Sequence, residues 1–182
     1  MYSFGSNRNQ IFEMALLKLR PDSKIYIFDV SDDKLPHLRH RDDRISYFQY
    51  GLGGHSNKTS NMKTLKEIMN LNQYKYIDVL KMDIEAAEYD WLKYESNLIP
   101  RIGQLSIELH VNNKVRYWYP PLEAKVATTF VREIEEHGLR LFYMEINRMM
   151  QSCCSEFSFI QSKFKQFEKM KNNFTFISEI QS

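Results

Sequence analysis

Cysteine is almost missing from this chain of 182 residues: there are two, Cys153 and Cys154, and they are neighbours. A bridge between adjacent cysteines is geometrically strained, so no disulfide framework is expected to hold the fold. Glycine is equally sparse at six residues, and no GxGxxG occurs, which counts heavily against a nicotinamide-dinucleotide oxidoreductase. No apolar run is long enough for a membrane span, and no charged start leads into an apolar stretch with a small-residue cleavage site. Neither sign of charge dominates: 25 Lys and Arg against 23 Asp and Glu give a net charge of +2. The cations are scattered, so the basic stripe that tracks a phosphate backbone is absent and nucleic acid is not expected as a partner. Two Asn-x-Thr sequons, at Asn57 and Asn173, matter only in a secretory compartment, and localisation stays open.

What is present is ordinary globular material, 43% hydrophobic and 26% charged, of a length that suits one domain. Apolar runs alternate with helical spacing. YSFG is short and extended, and NQIFEMALLKL places Ile11, Phe12, Ala15, Leu16 and Leu19 on one helical face. KIYIFDV reads as a strand, SDDKL as the start of a helix, RISYFQYGLGG as a strand ending in a glycine-rich turn, and NMKTLKEIMNL as a helix. IDVLKMD is near-continuously apolar at its start, as buried parallel strands are. AEYDWLKY predicts a short helix, QLSIELHV a strand, and LEAKVATTFVREIEEHG a long amphipathic helix stopped by Gly138. LRLFYMEIN and SEFSFIQS follow without a helix between them and should pair as an antiparallel hairpin. The pattern implies an α/β fold with three layers: a doubly wound, mostly parallel sheet, helices on both faces, and the closing hairpin at one edge. Residues 1–162 form this domain, and 163–182 read as a charged helix and tail.

In such a sheet, ligands bind outside the carboxyl ends of the strands. The polar groups of this chain collect there: Asp29 after KIYIF, Gly51 to Gly54 after RISYFQY, Asp83 and Glu85 after IDVLKM, Glu108 and His110 at the end of QLSIELH. Asp29 sits where an acid can accept both hydroxyls of an adenosine ribose, since a carboxylate is acceptor-only. Capping the next turn is the plainer alternative for it.

These residues carry a resemblance. LKMDIEAAEYDWL is similar to the LKIDIEGAE strand and turn of the FkbM-type methyltransferases, a branch of the class I S-adenosylmethionine-dependent enzymes. YSFGS resembles the first adenosylmethionine loop of the animal methyltransferase-like members. IFD resembles their second-strand acid, QLSIELHV their fifth strand, and EHGLRLFYMEIN with SEFSFI their final hairpin; together these cover about residues 1–162. The resemblance implies a seven-stranded sheet that binds S-adenosylmethionine and transfers its methyl group, in this family most often to an oxygen of a small-molecule or glycan acceptor. By the family's pattern, Gly5 and Ser6 lie near the methionine part of the cofactor, Asp29 on the ribose, Gly51 and Leu52 beside the adenine, and Asp83 at the methyl-transfer end.

Transfer to a hydroxyl needs alignment and a base. His110 is expected to take the acceptor proton while Asp83 orients cofactor or acceptor; the plainer alternatives are a His110 bonded to backbone and an Asp83 that holds only the cofactor. Glu88 is expected to be structural, favoured at a helix start by the dipole. Asp83, Glu85, Glu108 and His110 would suit a divalent ion, but nothing in their spacing demands one and no metal is expected. Tyr117, Trp118 and Tyr119 could line an acceptor pocket or form a packed lid. Two departures stand out. Ala86 replaces the glycine of DIEGAE and should hinder a positive backbone angle, and the chain opens directly on a short first strand, as a truncated N-terminus would. A catalytically inactive domain of the same fold, serving binding or interaction, is the alternative function those departures motivate.

Overall fold

A computed structural model of the chain describes residues 1–6, 9–30, 42–110, 124–146 and 154–163. Seven strands form one sheet: β1 (Tyr2–Phe4), β2 (Ile25–Phe28), β3 (Ile45–Phe48), β6 (Ile77–Met82), β7 (Ile102–His110), β8 (Leu139–Ile146) and β9 (Cys154–Gln161). Their order is β3-β2-β1-β6-β7-β9-β8. The first five are parallel, and β9 inserts antiparallel between β7 and β8. The strand order reverses between β1 and β6, which puts the ligand crevice of a doubly wound sheet at their carboxyl ends.

Alternation along β2 shows why the sheet is layered. Ile25 and Ile27 pack with Leu17 of helix α1 (Ile11–Leu19), together with Ile45 and Tyr47 of β3. Phe28, one residue out of phase, packs on the other face. That face is covered by α2 (Leu65–Leu71), α3 (Glu88–Glu95) and α4 (Ala124–Glu136), which contribute Leu65, Ile68, Trp91, Leu92, Phe130 and Ile134 to the main core. In β7, Leu105, Ile107 and Leu109 are fully buried in this core, while Gln104, Ser106, Glu108 and His110 point the other way.

Three boundaries differ from the sequence expectation. The third strand ends at Phe48; Gly51–Leu52 (β4) leaves the main sheet and pairs in parallel with Met62–Lys63 (β5). α2 starts at Leu65 rather than near Asn61 because Thr64 and Glu67 form a reciprocal capping box there. α3 starts at Glu88, because Glu85 and Ala86 hold positive φ angles that no helix accepts. Gly138 ends α4 with φ 101°, as a helix-terminating glycine should. No described helix is long and apolar enough to cross a membrane. The helix expected from SDDKL, at residues 31–41, residues 111–123 and the tail from 164 onward lie outside the described residues.

Candidate functional site

One row of the sheet explains where the site lies. Phe48, Phe28, Phe4, Met82, Ile107, Phe157 and Met144 stand in register across all seven strands, and every one is apolar. The rings of Phe4 and Phe28 stack at 4.6 Å between centroids, and those of Phe28 and Phe48 at 5.2 Å. The next position along is polar or glycine in all seven strands: Gln49, Asp29, Gly5, Asp83, Glu108, Glu156 and Glu145. The ladder runs just far enough to level them, with the amides of Gly5, Asp29 and Asp83 each donating to the carbonyl of the apolar residue one strand over, at 3.1 Å. Successive residues of a strand face opposite sides of the sheet, so the chain passes from aromatic packing to chemistry in one step.

The half of this row near β1 and β2 is built from close backbone approach. Gly5 has φ +73°, and a Cβ there would lie 1.7 Å from the Asp83 carbonyl oxygen, far inside any permitted contact. Only glycine fits, so the turn after β1 rests on the backbone at the end of β6. Ser6 and Asp29 are buried at 6% exposure each. Gly51 reaches the same rim, since a Cβ on it would touch the side chains of Met62 and Val30, the residue after Asp29. Leu52 is wholly enclosed in the main core; it supports this rim from behind. An acceptor-only carboxylate, a glycine turn and a buried hydroxyl thus stand together at adjacent strand ends.

The other half is built from charge. The His110 ring lies with Nε2 3.9 Å from Asp83 Oδ1 and 3.8 Å from Glu85 Oε2. Its Nδ1 meets Oε1 of Glu88 at 3.2 Å. Glu88 is fully buried, and the same oxygen accepts the Ile84 amide at 3.0 Å. Burial pulls the His110 imidazole down, but the Glu88 hydrogen bond and the charges of Glu88, Glu108 and Asp83 outweigh it and push the ring up to about 9. Burial and the neighbouring Glu108 raise Asp83 to about 7, with Lys81 and His110 pulling the other way. Burial and Glu108 raise Glu156 as well. These surroundings favour the imidazolium form of His110 and the protonated form of Asp83.

The turn that delivers Glu85 is strained: Glu85 has φ 58° and Ala86 φ 76°. Ala86 thus adopts the angle that its side chain was expected to hinder. Asp83, Glu85 and His110 present donor atoms within 4.8 Å of one another, as do Glu108, His110 and Cys154. Cys154, the third member of the second group, is buried at the start of β9. The first group already contains a cation of its own when His110 is protonated.

The structure therefore gathers His110, Asp83 and Gly5 at one point and sets Ser6, Asp29 and Gly51 along the adjoining rim. Sequence reasoning passed over Glu88 as a helix-start acid and missed Glu156. The available signal for Glu88 was that an acid directly after a buried strand and turn needs a partner, and His110 was the nearest candidate by topology. Tyr117, Trp118 and Tyr119 lie outside the described residues.

Comparison with known proteins bears on the family of the chain. Residues 1–161 match a family described as a methyltransferase domain. Over 97 residues the chain is 31% identical to the probable methyltransferase-like protein 24 of Homo sapiens and, to the same extent, to that of Rattus norvegicus, covering 46% of this chain and 24% of each relative. The matched stretch thus spans about a quarter of those relatives' length. Among solved structures, the crystal structure of the antibiotic-resistance methyltransferase Kmr aligns with a TM-score of 0.49 at 10% identity, covering 88% of this chain and 85% of that one. The FkbM-type resemblance is compatible with the family match, which implies a methyl donor of the adenosylmethionine type in general terms. With the family match running from the first strand to the last, this chain belongs to the methyltransferase-domain family.

Proposed function

We propose that this domain is an S-adenosylmethionine-dependent O-methyltransferase acting on a hydroxyl of a small molecule or glycan. The observation that carries the reading is the polar row at the carboxyl ends of β2, β1, β6 and β7, where Asp29, Gly5, Asp83 and Glu108 stand level beside the point of strand-order reversal. Adenosylmethionine supplies an electrophilic methyl group on a sulfonium. Gly5 and Ser6 would hold its methionine end, Asp29 the ribose hydroxyls, and Gly51 the adenine side, with Leu52 packed behind.

A hydroxyl acceptor methylated there would have to give up its proton. The Asp83–His110 pair receives it. Sequence reasoning gives that task to His110; the charges around the pair make Asp83 the group with a vacancy near pH 7 and His110 its cationic neighbour. Interacting groups of this kind titrate as a unit, so the pair is the base. The alternative of a binding domain without catalysis loses part of its motive, because the turn at Ala86 forms without glycine.

Calorimetric titration with adenosylmethionine tests the reading first. The wild-type protein should bind it, Asp29→Ala should bind it at least tenfold more weakly, and a nicotinamide dinucleotide should not bind. Hydroxylated small molecules and glycans can then be screened for methyl transfer, with His110→Ala expected to retain cofactor and lose turnover. A folded protein that binds no adenosylmethionine would overturn the proposal.

A further inference from the structure

Deepening the proposal for the same site, we infer that Glu88 is its positioning residue: a fully buried carboxylate that fixes the His110 ring, turns Nε2 toward Asp83 and Glu85, and supplies the counter-charge for the imidazolium. The inference rests on the proposed function only for its catalytic consequence.

The geometry makes three demands. With Glu88 as a carboxylate, which is acceptor-only, the atom that meets its Oε1 at 3.2 Å is Nδ1–H. That holds the ring by Nδ1 and leaves Nε2 as the atom that faces the acid pair. Glu88 itself is anchored from outside the pair, since Oε1 also accepts the Ile84 amide and the side chain is enclosed at 0% exposure. Its second oxygen, Oε2, is buried with no hydrogen-bond partner among the described residues. A carboxylate left with an idle oxygen out of water is costly if its only task is to cap one amide, because a neutral amide side chain would do that as well. Facing His110, it has a use that a neutral group lacks. Raised basicity in the imidazole is the expected result of a buried carboxylate at its second nitrogen.

Other charges face the ring as well: Asp83 and Glu85 from the turn after β6, Glu108 from β7 and Glu156 from β9. Their presence sets the control. Glu88→Gln preserves size and the acceptor for Ile84 and removes only the charge; Glu85→Gln removes a charge at 3.8 Å that is exposed to solvent.

His110 would be titrated by NMR of the ring signals in the wild-type protein and both variants, without cofactor. The wild-type ring should titrate near 9 and show a slowly exchanging Nδ1 proton below that pH. Glu88→Gln should weaken its proton affinity at least tenfold, Glu85→Gln clearly less. The pH–rate profile of methyl transfer should then move in the same direction for Glu88→Gln. A midpoint unmoved in folded Glu88→Gln, an equal response to Glu85→Gln, or a neutral wild-type ring with Nδ1 bare would each overturn the inference. The last of these is read on the wild type alone, so it decides the matter even if Glu88→Gln fails to fold. If the titration behaves as expected but no hydroxyl acceptor is methylated, Glu88 keeps its role toward His110 and the proposed reaction is the part that fails.

Discussion

The two halves of the site are built on opposite principles. At the ends of β1 and β2, position is enforced by steric contact: a glycine whose missing side chain lets one turn rest on the next strand, above a stack of three phenylalanine rings. At the ends of β6 and β7, position is enforced by charge: an imidazole ringed by Asp83, Glu85, Glu88 and Glu108. Steric contact is indifferent to pH and intolerant of any added atom. Charge tolerates substitution of similar shape but changes with every proton. The proposed cofactor cradle and the proposed proton-transfer corner need those respective properties.

The sharpest way to break the first half is Gly5→Ala. The new methyl group would overlap the Asp83 carbonyl and force a non-glycine residue to φ +73°. Relieving a clash with backbone means moving β1 against β6, and a loss of about 3 kcal/mol or more in urea unfolding is expected. An unchanged midpoint would mean that the turn is not held where the structure has it.

The second half breaks through pH. Asp83 is raised from 3.8 to about 7, with burial as the main cause, so the folded state binds its proton more tightly than the unfolded chain does. Stability from this group is complete below pH 3.8 and is lost as pH rises toward 7. The arithmetic of the shift gives about 4 kcal/mol; with a third of the side chain exposed and the charge coupled to His110, ~1–2 kcal/mol is the sensible expectation. Asp83→Asn should therefore be more stable than wild type by that amount at pH 8, nearly equal at pH 4, and inactive. Denaturant titrations at the two pH values check it. His110, raised from 6.5 to about 9, also favours the fold while protonated, and that contribution, complete below 6.5, is lost as pH rises to 9. His110→Gln should flatten stability between pH 7 and 9.

The same contrast decides how much could be read from the sequence. The sheet, its parallel majority and the closing hairpin were legible, because β-branched and aromatic runs alternate with helical spacing and because no helix separates the last two strands. Gly5, Asp29 and Asp83 were legible as strand-end residues, since a polar group directly after an apolar run has few other places to be. The role of Glu88 was not. Its importance comes from a ring delivered by His110, 22 residues away, and from full burial at a helix start where acids are ordinarily solvated. The departure of Gly51–Leu52 into a separate ribbon was hidden for a similar reason: its partner, Met62–Lys63, looked like the first turn of a helix until the Thr64 capping box moved that start. Charges and pairings that depend on distant partners leave only composition behind in the local sequence.

The mildest test lies where the two principles meet. The turn after Asp83 belongs to the charged half, yet it needs the backbone freedom that the other half obtains from Gly5, and it has Ala86 at φ 76° instead. An L-residue in that region costs roughly 1–2 kcal/mol. Glycine would remove this, and its freer unfolded chain would take back about 0.4–1 kcal/mol. Ala86→Gly should therefore stabilise the protein by ~0.5–1 kcal/mol, seen as a small rise in the urea midpoint with an unchanged slope. If Ala86→Gly destabilised it, the half-buried methyl group would be packing the turn in place and the charged half would depend on steric contact after all. If the gain appears with no loss of methyl transfer, the strain at Ala86 is incidental, and Glu85 is held toward His110 by charge and by the Glu88 anchor at Ile84 rather than by a locked backbone.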